Sequence, residues 1–383
     1  MVNRFIEKNI ESYLEGSDHK IFFIWGPRRS GKTTILKKLS EEIGVPAFNF
    51  DLISDRELFS PTESVLSKLA KEHKIILIDE VQNYPESTIA LKILHDMFEV
   101  KIIATGSSEL RQKTKTFDSL AGRYTEHYCL PLSIEEIRAH EQIKKYDENK
   151  FSNELQTKLQ IYGAYPEIYT NNELNESQKV DLLQNILDTY VLKDVINIYD
   201  LKNEKLAKDI LIKIALQIGS EVSVREIANS LGANDSTVAS YIEIFIKNYI
   251  LIPLPSFKTN TRRAVSENRK LFFYDLGIRN ILVRDFREIA LRPDKGGVFE
   301  NFIISEIEKK RRNNKAQSSM YFYREYSGNE VDIVLEDYMK NYKCLEVKTN
   351  PKQKSKDIFP KEHSFEVINP SNYFESIKDL FNT

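Results

Sequence analysis

Cysteine is scarce in these 383 residues: Cys129 and Cys344 stand far apart, with no CxxC spacing anywhere. That excludes a disulfide framework and a cysteine-based zinc ribbon, and it points to a reducing, cytoplasmic compartment. Charge of one sign is missing too, because 55 Lys and Arg against 57 Asp and Glu leave a net charge of -2. No global basic field attracts nucleic acid, so any such contact has to be a local patch. Long hydrophobic runs are absent. The apolar stretches at Ile21–Trp25 and Ile75–Ile78 fall far below the ~18 residues of a membrane span, and no membrane partner is expected. The amino terminus, MVNRFIEKNIESYL, lacks a signal-peptide core and reads as an amphipathic helix. Internal repeats and low-complexity tracts are also missing.

What is present can build several cores. The chain is 41% hydrophobic and carries 41 aromatic residues, and at ~150 residues per domain its length suits two to three domains. Nearly continuous apolar runs at Ile21–Trp25, Ala47–Phe50, Ile75–Asp79, Lys101–Thr105 and Glu126–Leu130 alternate with helical stretches. Such runs suit strands covered on both faces, hence a parallel sheet with crossover helices. From Pro131 to Tyr249 the pattern becomes helical. Beyond Gly296 it changes to a helix at 298–312 and strands at 320–326, 330–335 and 342–348, the first two flanking a turn at Ser327-Gly328-Asn329. The expected organisation is an α/β multidomain chain divided at residues 1–135, 136–256 and 257–383.

Gly26-Pro27-Arg28-Arg29-Ser30-Gly31-Lys32-Thr33 is a complete GxxxxGKT string after an apolar strand, followed by a helix that opens at Thr34. That context defines a phosphate-binding loop: backbone amides wrap the phosphates, Lys32 reaches the β and γ oxygens, and Thr33 offers its hydroxyl to Mg²⁺. The run Ile75–Asp79 followed by Glu80 then places Asp79 near the magnesium and leaves Glu80 to polarise the attacking water. A third strand ends at Thr105, followed by Gly106-Ser107-Ser108; Thr105 or one of the serines contacts the γ-phosphate or the water, or the segment is a plain loop cap. Arg123 precedes the fifth strand and is a candidate arginine finger, against a simple surface arginine.

On the strings GPRRSGKT, IILIDEVQ, IIATGSS and LAGRY, residues ~1–150 resemble the AAA+ ATPase core, in the group (AAA_14) that carries a DUF4143-type carboxyl-terminal region. The resemblance implies a five-stranded core and ATP as nucleotide, and no GTP-selective NKxD string contradicts it. It also makes a homo-oligomer a candidate, with Arg123 acting on the ATP of a neighbouring subunit.

In the middle, Ser223-Val224-Arg225-Glu226 is a capping box that opens a helix. A turn at Gly232-Ala233-Asn234 leads to a second helix, and the strand-like run from Ile250 follows. This is a helix–turn–helix with a wing. Ser236, Thr237, Ser240 and Tyr241 stand at the start of the second helix, where basic side chains are missing. An interdomain role and DNA contact both stay open. The stretch Lys258, Arg262, Arg263, Arg269 and Lys270, with Glu267 its only acid, is the better phosphate-contact candidate.

Carboxylates and a lysine gather in the last third. Asp332 lies inside an apolar run, and Glu346 and Lys348, at i and i+2 of another, leave the same face of one strand. Glu300 borders the apolar stripe of a helix upstream. Two carboxylates and a lysine on adjacent strands suit metal-assisted phosphodiester hydrolysis: Asp332 and Glu346 ligate Mg²⁺, Lys348 orients or deprotonates a water, and Glu300 assists through a second metal or a bridging water. The order Glu300, Asp332, Glu346-Val347-Lys348 resembles the PD-(D/E)xK nuclease superfamily, with Val331 where its proline usually stands. GGVFENFI, YFYREYSGNEVDIV and LEVKT resemble the DUF4143 region. These resemblances imply a restriction-endonuclease-like α/β domain with a second Mg²⁺ or Mn²⁺, acting on nucleic acid, DNA before RNA. The rival is an ATP-switched regulator or scaffold whose terminal domain binds DNA or a protein without cutting.

Overall fold

The computed structural model describes residues 2–106, 117–141, 143–144, 147–194, 203–258, 269–325, 327–353 and 355–381. The chain divides into two compact units, Met1–Pro131 and Leu132–Thr383.

The first unit is built on five parallel strands, β1 (Ile21–Trp25), β2 (Ala47–Asn49), β3 (Ile75–Asp79), β4 (Lys101–Gly106) and β5 (Tyr124–Tyr128), in the order β2-β3-β4-β1-β5. β1 is buried throughout and lies between β4 and β5, as its unbroken apolar run requires. β5 begins two residues earlier than its hydrophobicity suggests, because Ile21 pairs with Tyr124 and Ile21 N donates to Arg123 O. Cys129 and Leu130 are buried beyond the end of the ladder. Crossover helices run over Lys32–Ile43, Glu63–Glu72 and Ser87–Met97. The amino-terminal helix Phe5–Glu15 buries Ile6, Ile10 and Tyr13 against Phe22, Ile24 and Leu36. Their spacing of three and four residues is the stripe its sequence shows.

The second unit starts with helices, among them Ile134–His140, Glu148–Tyr162, Glu176–Ile186 and Glu204–Leu216. Ser223 caps the helix Val224–Leu231, accepting from Glu226 N, and left-handed Gly232 ends it before the helix Asp235–Lys247. The strands β6 (Glu221–Val222), β7 (Leu251–Pro255) and β8 (Arg269–Phe273) form an antiparallel sheet in the order β6-β8-β7. Tyr241 does not stand on an exposed face as its position suggested: it is buried beside Phe245. Ser236 and Ser240 are exposed.

The chain end is a mixed sheet ordered β12-β11-β10-β9, from β9 (Ser318–Arg324), β10 (Glu330–Asp337), β11 (Tyr342–Val347) and β12 (Ser364–Ile368). β9, β10 and β11 are antiparallel neighbours, whereas β12 joins β11 in parallel. The turn between β9 and β10 is closed by Glu325 N donating to Asn329 O and Gly328 N to Glu325 O. The long helix Lys295–Asn313 buries residues all round, charged ones included. Each of those charges is paired: Glu306 accepts from Ile134 N (2.8 Å) and Lys309 Nζ (2.6 Å), while Glu308 accepts from Arg311 and Arg312. Among the described residues, no helix is long and apolar enough to cross a membrane.

Asn301 fixes this helix to β8. It is fully buried and bonds both backbone groups of Phe273, accepting from N (2.7 Å) and donating to O (2.8 Å). Asn301→Leu strands two buried polar groups, a loss on the order of 2–4 kcal/mol. Trp25, the single tryptophan, lies in the first unit, so the prediction is specific: far-UV circular dichroism shows the second unit unfolding at lower urea while the tryptophan transition stays in place.

Candidate functional sites

In the first unit the loop Gly26–Lys32 joins the carboxyl end of β1 to its helix. A Cβ on Gly26 would stand 2.0 Å from the Cys129 carbonyl oxygen, and Gly31 has φ +103°, so glycine is required at both positions. Ser30 Oγ donates to Pro27 O (2.8 Å) and braces the turn. Lys32 is buried, with Nζ donating to Gly26 O and Pro27 O at 2.8 Å each. Burial pushes its pKa down, against the pull of Glu80, Cys129 and Asp79. Thr33 and Thr34 are exposed on the first helical turn, and Arg28 and Arg29 are half-buried.

Asp79, at the end of β3, accepts from Thr105 Oγ1 of β4. Glu80 has φ 54°, left-handed for a residue with a side chain, and its Oε2 accepts from Gln82 Nε2. Strained positions of this kind collect at functional sites. Lys32, Asp79, Glu80 and Thr105 thus gather at the carboxyl ends of the neighbouring strands β3, β4 and β1. Ser107 and Ser108 lie outside the described residues. Arg123 is taken up within its own chain: Nε donates to Asp96 Oδ1 (2.7 Å), which, with His95, holds the Asp96 carboxyl down at about 2.

Arg4 belongs to the loop and carries no sequence signal. Its guanidinium is buried and donates to Ser30 O (2.6 Å) and Leu130 O (2.5 Å), tying the loop to the chain beyond β5.

The second unit brings together the four residues selected from the sequence there. The β10–β11 register pairs Ile333 with Leu345, and one step further sets Asp332 across from Glu346. Asp332 Oδ2 accepts from Val347 N (2.7 Å), and Lys348 Nζ donates to Glu346 Oε1 (2.6 Å). Glu300, Glu330 and Asp332 each present an oxygen within 4.8 Å of the others. Lys270 Nζ bonds Glu300 Oε1 (3.0 Å) and Glu330 Oε1. Arg324 Nε donates to the other Glu330 oxygen (2.7 Å), and its Nη1 to Glu221 (2.6 Å). Glu346 is 6% exposed, and its Oε2 has no hydrogen-bond partner.

Glu330 and Lys270 were missed as members of this cluster. Lys270 is not part of a basic surface, being 2% exposed, and Arg269 pairs with Glu243 (2.6 Å). Lys258 is half-buried, and Arg262, Arg263 and Glu267 lie outside the described residues. Only the third dimension pairs Lys270 with acids 30 and 60 residues away.

The electrostatics follow from burial. Desolvation, then Glu300 and Glu346, push the Asp332 carboxyl up to about 7. Burial opposes the Lys348 charge, but the Glu346 bond and the fields of Asp332, Glu346 and Glu300 outweigh it and raise its pKa. A lysine held charged can orient a water and is poorly suited to deprotonate one. Two acids, Asp332 and Glu346, the second with an oxygen that has no hydrogen-bond partner, make a hard, oxygen-rich pocket that fits Mg²⁺ or Mn²⁺. In the first unit, an open hydroxyl at Thr33 and a nearly buried Asp79 fit Mg²⁺ beside a phosphate.

Comparison with known proteins finds three matched segments. Residues 18–138 match the AAA domain family AAA_14. Residues 153–289 and 295–370 match two domains of unknown function, DUF8612 and DUF4143. The first unit therefore carries an AAA domain. An uncharacterized protein of Methanocaldococcus jannaschii, MJ1544, is 26% identical over 98% of this chain and 82% of its own. An uncharacterized protein of Haemophilus influenzae is 23% identical over 67% of each. Among solved structures, the Aeropyrum pernix Orc1 protein in complex with DNA is similar at 14% identity and TM-score 0.30, covering 73% of this chain and 91% of that one.

An acid whose folded pKa lies above its unfolded value of 3.8 stays protonated in the fold while the unfolded chain ionises. Stability falls as pH rises from about 4 to about 7 and is level above, where both states are ionised. In chelator, Asp332→Asn should gain on wild type across that window and hold the gain at pH 8. Parallel urea midpoints from pH 4 to pH 8 would contradict the assignment.

Proposed function

We propose that the chain is an Mg²⁺-dependent ATPase whose second unit carries a metal-dependent phosphodiesterase site of the PD-(D/E)xK kind, acting on DNA. The observation that carries this reading is the convergence of Glu300, Asp332, Glu346 and Lys348, drawn from a helix, β10 and the end of β11, into one half-buried cluster around the buried Glu346. In the ATPase unit the amides of the Gly26–Lys32 loop, with Lys32, bind the phosphates. Thr33 and Asp79 hold Mg²⁺, which neutralises phosphate charge, and Thr105 fixes the Asp79 carboxylate. Glu80 takes the proton of the attacking water once it leaves Gln82. The Asp96 pair supports Arg123 as a tie within its own subunit rather than a finger for its neighbour.

In the second unit Asp332 and Glu346 hold the divalent metal, with the Val347 carbonyl as a further candidate ligand, and Lys348 orients a water. The metal supplies Lewis acidity toward the phosphate. Work is divided among residues 1–135 (ATPase), 136–256 (helical and winged middle) and 257–383 (phosphodiesterase). Two buried, free cysteines agree with a reducing, cytoplasmic setting. The rival, an ATP-switched scaffold that binds without cutting, draws on the ion pairs that already occupy Lys270 and Lys348.

Four variants separate the two chemistries. Lys32→Ala loses MgATP binding, whereas Glu80→Gln binds ATP and hydrolyses it at least ~10²-fold more slowly. Asp332→Asn and Lys348→Ala lose cleavage of DNA in Mg²⁺ or Mn²⁺ while their ATPase rate matches wild type. A folded wild type that cuts no DNA form, with or without ATP, leaves the scaffold reading in place.

A further inference from the structure

Lys270 stands where spacing alone would put a cation. Three carboxylate oxygens within 4.8 Å of one another are what a hard divalent ion requires. The ammonium is already there, shared between Glu300 and Glu330. β8, which carries it, is paired on both sides, with Lys270 opposite Glu221 and Leu254. Withdrawing the ammonium would leave two half-buried carboxylates without their common counter-charge. The second oxygen of Glu330 is taken by Arg324. The opposite end differs. Asp332 accepts one backbone N–H, and Glu346 Oε2 is buried without a partner.

We infer that the cluster takes a single divalent cation, held by Asp332 and Glu346, and that Lys270 is a tethered cation filling the position a second metal would take between Glu300, Glu330 and Asp332. This rests on the metal-dependent reading above. An ammonium neutralises carboxylates but has no coordination sphere, so it cannot ligate a water and lower its pKa as a metal does. Lys270 is therefore a positioning residue: it holds Glu300 and Glu330 in place and limits the metal count. The reacting water is left to the Asp332–Glu346 side, where Lys348 lies.

The test counts Mn²⁺ on nucleotide-free, full-length protein, reading free Mn²⁺ by its paramagnetic resonance signal. Comparison with an Asp332→Asn partner removes any Mn²⁺ bound elsewhere. Asp332→Asn should abolish one site in wild type. In the Lys270→Met background, which keeps length and loses charge, the same change should abolish two. Lys270→Arg keeps the charge and should behave as wild type. If Lys270→Met does not fold, the wild-type count still decides. Two sites lost from wild type, or one from folded Lys270→Met, overturns the inference and leaves the metal reading standing. No site lost from wild type removes the metal reading and this inference together.

Discussion

A buried ammonium shared by two carboxylates organises the second unit. Removing a charge from water costs several kcal/mol per ion unless well-placed partners offset it, and here five acids, Glu221, Glu300, Glu330, Asp332 and Glu346, crowd around three cations. Lys270 links β8 to the long helix through Glu300 and to β10 through Glu330. Arg324 ties β9 to β10 and β6, and Lys348 closes on Glu346. The carboxylates outnumber these cations, and Asp332 is left without a cation of its own, while one oxygen of Glu346 has no hydrogen-bond partner. The Asp332 carboxyl is driven up to about 7. That imbalance is the physical ground for reading this end of the cluster as a place for a proton or a metal.

The same helix serves two ends. Glu300 faces the cluster, while Glu306, six residues on, accepts from Ile134 N at the start of the helix Ile134–His140. Asn301 between them locks the helix to β8. The first helix of the second unit and the carboxylate cluster therefore share one rigid element.

The sequence made the phosphate loop legible because its chemistry is contiguous: Gly26 to Thr33 carry both the turn and the ligands. β1, β3 and β4 were legible as unbroken apolar runs, whereas β5, with polar, half-buried positions along it, was misplaced by two residues. Asp332, Glu346 and Lys348 could be read because strand alternation and one hairpin register suffice to bring them together. Lys270 and Glu330 could not, since a lysine in a basic run looks like surface until a helix and a strand from elsewhere close over it. Tyr241 failed for a related reason: the helix turned that position inward. Arg4 gives no sign in sequence at all, because the partners that tie it to the loop, Ser30 O and Leu130 O, are backbone carbonyls.

A metal site at the unsatisfied end of the cluster would show itself in the crystal. Anomalous scattering from crystals of the nucleotide-free protein soaked in Mn²⁺ tests it most directly. One peak is expected in the second unit, between Asp332 and Glu346, with the Lys270 ammonium still between Glu300 and Glu330. A peak at the Lys270 position with the lysine displaced, or no peak at Asp332, would contradict it.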